Sequence, residues 1–159
     1  MSLVKRLKGL FESEEQRDAT DLLQRLRDFY TSAVHREAYL RHQAEMAPHA
    51  AGRDGLRQLA EEEKEVVERL RQMIHRLGSF AGDVLRAPEP IGALNYWARL
   101  TQTLDAHREA IKSMLDESAR VTDGQPELAD ELREIARCED LHCAKLRALI
   151  AKSDPQALD

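Results

Sequence analysis

The segment ARCEDLHCAKL, residues 136–146, places a glutamate and a histidine three residues apart where an amphipathic helix should be apolar. Its stripe reads Leu128, Leu132, Ile135, then Glu139 and His142, then Leu146 and Leu149. Residues three and four apart share one helical face, so Glu139 and His142 project together into the core side. Two further acids interrupt apolar stripes in the same way. Glu63 lies between Leu59 and Val66, and Glu37 between Ala33 and Leu40. Burying a leucine at each of three such positions would contribute about 1.5–3 kcal/mol apiece, and an unpartnered buried carboxylate costs several more. Three neighbouring carboxylates also repel, which raises their pKa values unless a cation neutralises them. A metal ion removes both penalties, and mixed carboxylate and imidazole donors suit iron or manganese. The competing reading is a polar core layer of ion pairs and hydrogen bonds.

These residues must be positioned by helices. Apolar periodicity of the helical kind occurs four times, over about residues 18–47, 53–78, 92–121 and 126–152. Pro48 and Gly52 mark the first turn, and Thr122–Pro126 the last, with Pro126 suited to an initial helical turn. Between the second and third helices lies SFAGDVLRAPEPIGA, a connection long enough to run the length of a bundle. The expected fold is all-α, a four-helix bundle of two helical hairpins joined by a long crossover. Residues 1–17 form an amphipathic extension, 18–152 the bundle, and 153–159 a tail.

Helical heights agree with a shared layer. Glu37 and Glu63 stand about equally far from the first turn, Glu139 and His107 about equally far from the second, to within about one helical turn. The two hairpins also echo each other: LRQLAEEEKEVVERLRQMI from Leu56 aligns without gaps on LREIARCEDLHCAKLRALI from Leu132, matching Glu63 to Glu139. The expected metal-binding residues are therefore Glu37, Glu63, Glu139 and His142, with His107 as a helper.

ARCEDLHCAKL and LAEEEKEVVERL resemble the Glu-x-x-His segments of the ferritin-like superfamily, especially its rubrerythrin and bacterioferritin branches, and the resemblance spans roughly residues 20–150. It implies a di-iron (or manganese) site between the helices, and oxidation of Fe(II) by oxygen or peroxide, or peroxide detoxification. Carried over by position, Glu37 matches the acid of the first helix, Glu63 that of the second, and Glu139 with His142 the pair of the fourth. Two positions depart from the pattern. Val66 stands where the second helix should bring a histidine, and the third helix has no inward glutamate. His107 can replace a missing ligand; Arg108 can swing inward and supply the positive charge itself; or the third helix can be rotated so that Glu109 or Asp105 binds. A bundle that has lost its metal and serves as an interaction or structural module is the alternative function.

The remaining signals mostly exclude. The net charge of −5 is spread without a basic face, which argues against nucleic acid as a partner. No apolar run approaches the roughly 20 residues that cross a bilayer. Cys138 and Cys143 point in different directions on one helix and cannot form a local disulfide, consistent with the cytoplasm. Cys138 and His142 have a spacing that zinc accepts, but further ligands are not evident. MSLVKRLKGLF is a short basic amphipathic stretch, able to dock residues 1–11 on a membrane or a partner, or to pack on the bundle or across a dimer. The expected assembly is a homodimer or small homo-oligomer.

Overall fold

A computed structural model describes residues 3–84 and 95–153, with side chains from residue 16 onward. Among these residues the chain is all-helical: α1 Leu3–Glu45, α2 Ala50–Arg76, α3 Tyr96–Val121 and α4 Pro126–Ser153. α1 continues through residues 17 and 18 without a break, so the extension and the first bundle helix are one element. The side chains of residues 3–15 lie outside the described residues, and with them the docking expected of residues 1–11; so do residues 154–159 of the tail.

Local chemistry sets the ends. Gly78 takes φ +75, a left-handed conformation that costs glycine little, and Ser79 N–H folds back to the Ile74 carbonyl. Asn95 caps α3 by accepting from Ala98 N–H at 2.8 Å. Pro126 begins α4, where its missing N–H removes no helical bond.

α1 packs chiefly on α2, and α3 chiefly on α4. The cross-helix bonds give the directions. Arg36 meets Glu63 and Arg41 meets Glu61, so α1 and α2 are antiparallel. Ser118 bonds the Ala129 carbonyl and His107 meets Glu139, so α3 and α4 are antiparallel too. Arg25 pairs with Glu117 while Gln43 bonds Thr103, which makes α1 antiparallel to α3 and leaves α2 and α3 parallel. The connection from Leu77 to Asn95 therefore joins opposite ends of the bundle; residues 85–94 of it lie outside the described residues.

The core falls into two apolar blocks. One gathers Leu26, Ala33, Leu70, Met114, Leu132 and Ile135; the other gathers Leu40, Leu56, Leu59, Leu100 and Leu146. Between them lies a slice in which Arg36, Glu63, His107, Glu139 and His142 are all buried. The sequence of α3 reads as an inner stripe of Trp97, Leu100, Leu104, Ile111 and Leu115, and the helix is rotated slightly from it. Trp97 and Leu115, expected inward, are 39% and 44% exposed, whereas Met114 and Val121 are buried. Leu132 is fully buried in the larger block. Leu132→Ala is expected to cost about 2–5 kcal/mol in chemical denaturation, because its neighbours are held by helices on every side and cannot collapse into the void.

Candidate metal centre

The slice draws one residue or pair from each helix. α2 brings Glu63, α3 His107, α4 Glu139 and His142, and a donor atom from each lies within 4.8 Å of those of the others. All four are 3% exposed or less. This buried cluster can hold a metal ion.

Helix α1 contributes differently from expectation. Glu37 does not reach the cluster: it is partly exposed and pairs with Arg41. Arg36 stands in its place, 7% exposed. Its Nε donates to Glu63 Oε1 at 3.0 Å and its Nη2 to Glu139 Oε1 at 2.7 Å. The correction has a geometric cause. Ala33 and Leu40 are seven residues apart, and both intermediate positions, 36 and 37, fall on the same face. Packing selects 36, continuing to Leu40 and Gln43. Arg108, the cation considered for this role, is instead exposed beside Asp105.

Each carboxylate is divided between two partners. Both Oε1 atoms accept from Arg36, and both Oε2 atoms face imidazoles. Glu139 Oε2 lies 2.5 Å from His107 Nδ1, and Glu63 Oε2 lies 3.1 Å from His142 Nδ1. His142 Nδ1 is also 3.5 Å from Glu139 Oε2, and His107 Nδ1 is 3.9 Å from Glu63 Oε2. The rings meet edge to face, centroids 5.7 Å apart. On the far side His142 Nε2 lies 3.5 Å from Glu62 Oε2, and Glu62 pairs with Lys145 at the surface. Arg36 also borders a cleft of about 820 Å³ between α1 and α3, floored by Phe29 and Met114.

The electrostatics follow from this pairing. Burial pushes the Glu139 carboxyl up, but hydrogen bonds from His107 and His142 and the Arg36 charge outweigh it and hold Glu139 well below the usual carboxylate range. Burial lowers the His142 pKa, yet bonding to Glu139 and Glu63 prevails and raises it to about 9. Arg36 is opposed by burial and favoured by both carboxylates, which keep it charged. Arg36 and a His142 held protonated at neutral pH thus supply positive charge against the two carboxylates.

This balance predicts a pH response of the metal-free protein. His142 has a folded pKa raised above its ordinary value, so its contribution is complete below about pH 6.5 and is lost as pH rises through about 9. Glu139 works in the opposite sense, contributing above its ordinary pKa and losing that contribution in acid. Denaturation free energies measured without metal are expected to fall between pH 7 and 9.5, and His142→Gln to flatten that limb.

The spacing suits one ion. Tetrahedral ligands at about 2.0–2.1 Å from a metal stand about 3.3 Å from one another. The four Nδ1–Oε2 separations, 2.5, 3.1, 3.5 and 3.9 Å, bracket that edge. Two ions need bridging carboxylates with both oxygens free, and here the Oε1 atoms belong to Arg36. Val66, three residues beyond Glu63 on α2, is buried and offers no donor. Cys138 lies apart, its sulfur 3.7 Å from Arg69 Nη1, and both cysteines are free thiols.

Of the residues the sequence placed in one layer, the structure brings together Glu63, His107, Glu139 and His142 but not Glu37, and it adds Arg36, Gln43 and Thr103. The signal for Gln43 was weak, a polar residue three along from Leu40 and beside Ala44. No family model matches the chain, and neither a curated protein nor a solved structure matches it. No helix among the described residues is long and apolar enough to cross a membrane.

Proposed function

We propose that this protein is a ferritin-like metal-binding bundle whose site takes one divalent transition-metal ion. The observation that carries the reading is the facing set of Glu63 Oε2, Glu139 Oε2, His107 Nδ1 and His142 Nδ1, buried between two apolar blocks. The antiparallel pairs α1–α2 and α3–α4, with α2 and α3 parallel, support the ferritin-like arrangement. A bound iron or manganese ion would supply redox chemistry toward oxygen, peroxide or Fe(II) as substrate. The chain's own part is to hold and orient. Arg36 grips both Oε1 atoms and so turns both Oε2 atoms toward the imidazoles, the outer support that ligating carboxylates need. The apolar blocks above and below exclude bulk water. A di-iron centre of the family type is set aside, because Arg36 occupies the oxygens that would bridge and Glu37 is turned away. A dimer or small homo-oligomer in the cytoplasm belongs to the same reading. The free thiols support a reducing compartment, and exposed Leu115 and Leu141 support association.

One observation favours a second reading. Arg36 already neutralises the carboxylates, so the bundle can stand without metal as a structural or interaction module. Elemental analysis of protein purified from iron-supplemented cells separates the two. The first reading expects about one ion per chain in the wild type and a loss of tenfold or more in Glu139→Ala/His142→Ala. Metal unchanged in the double variant would reject these ligands.

A further inference from the structure

Among the buried polar atoms without a hydrogen-bond partner are Gln43 Oε1 on α1 and His107 Nε2 on α3. Both residues are 0% exposed. A buried acceptor left unmet costs about 1–3 kcal/mol, so two in one layer of a small bundle call for an explanation.

The bonding around them fixes what each atom is. Thr103 Oγ1 donates to the Arg99 carbonyl at 2.9 Å, so its one hydrogen is spent. It therefore accepts the bond of 2.6 Å from the Gln43 side chain, which must present its Nε2–H there. Gln43 Oε1 is thus the free end of the amide, and the two ends cannot be exchanged. Glu139 is held ionised and can only accept, so the contact of 2.5 Å from His107 uses an Nδ1–H. In a neutral imidazole that leaves Nε2 a bare acceptor. Both atoms are thus acceptors left unmet, and two acceptors cannot satisfy each other.

Metal binding reverses one of them. An ion that takes Nδ1 of His107 requires the ring hydrogen on Nε2, which turns that atom into a donor. Thr103 and His107 are one turn apart on the same face of α3, and Gln43 is already anchored to Thr103. We propose that Gln43 is a positioning residue for the metal centre: its Oε1 accepts the Nε2–H of His107 once Nδ1 is bound. The pair makes no hydrogen bond in the metal-free arrangement, so the ring or the amide shifts to form one. Metal-ligating histidines generally donate their second nitrogen to such a partner, and removing it typically weakens binding about 10–100-fold. This inference rests on the single-ion reading, and it adds a residue from α1 to a site that α1 otherwise serves through Arg36.

The test uses zinc(II), a diamagnetic probe, on the full chain. Calorimetric titration is run on wild type and Gln43→Leu, with thermal melts of both metal-free proteins. Gln43→Leu is expected to bind zinc about tenfold more weakly or worse, while its metal-free melting temperature is equal to or above that of the wild type. The second result follows from removing an unmet acceptor, and a merely structural role for Gln43 would lower it instead. ¹⁵N spectra of wild type should show the His107 hydrogen on Nδ1 without zinc and on Nε2 with it. Equal zinc affinity in the two proteins overturns the role of Gln43 and leaves the metal reading standing, whereas a retained Nδ1–H in the zinc form overturns that role and removes His107 from the ligand set. Absence of zinc binding in wild type removes both.

Discussion

Arg36→Met is expected to be the most damaging single substitution in the metal-free protein, costing about 3–5 kcal/mol in chemical denaturation. The guanidinium is nearly buried and bonds both Glu63 and Glu139, which have 0% exposure. Methionine fills a similar volume but leaves two carboxylates facing each other across an apolar slice. One of them must then take a proton or be rehydrated. The consequence for metal is opposite in sign. An ion gains more from carboxylates that have lost their counter-charge, so the rise in melting temperature on adding manganese(II) should be larger in Arg36→Met than in wild type. Under the metal-free reading, manganese gives no rescue. Replacing Arg36, Glu63 and Glu139 together by apolar residues then matches or exceeds wild-type stability, as documented for some buried ion networks.

A second large effect concerns pH. His142 is protonated at neutral pH, with a pKa of about 9, and must give up that proton for Nδ1 to ligate. Metal and proton therefore compete for one nitrogen. Affinity should rise about tenfold for each pH unit from 7 toward 9, about 100-fold in all, and level off beyond. Manganese(II) titrations at pH 7, 8 and 9 measure the slope directly. His142→Gln should bind more weakly at every pH and lose most of the slope. A wild-type affinity flat across this range would mean that His142 is not a ligand.

The same residues show how far the sequence carries. Glu63, Glu139 and His142 were legible because each interrupts a run of leucines and isoleucines at unambiguous helical spacing. His107 was legible from its height relative to the second turn. Arg36 was not, since positions 36 and 37 are equally compatible with a stripe from Ala33 to Leu40, and a carboxylate beside other inward carboxylates looked like the ligand. Which one enters depends on the neighbouring helices: two inward glutamates need a cation, and an arginine supplies it. Trp97 and Leu115 were misplaced for a related reason. They share a stripe with Leu100, Leu104 and Ile111, and only contact with α1 and α4 determines that Met114 and Val121 take the inner edge. Gln43 and Thr103 gave weaker signals, because polar residues at a stripe's edge are ordinary. The helix count and the main turns followed from Pro48, Gly78 and Pro126, whose backbone chemistry is local.

The number of ions bound per chain separates a single-ion centre from a two-ion one. Metal-free protein titrated anaerobically with Fe(II), and in parallel with manganese(II), reports the number bound per chain. The geometry predicts one, saturating in wild type and abolished in Glu139→Ala/His142→Ala. Saturation at two ions would mean that Arg36 does not hold the carboxylate oxygens as described, and binding below about 0.2 ion per chain would leave Arg36 and protonated His142 as the charges that hold the two carboxylates.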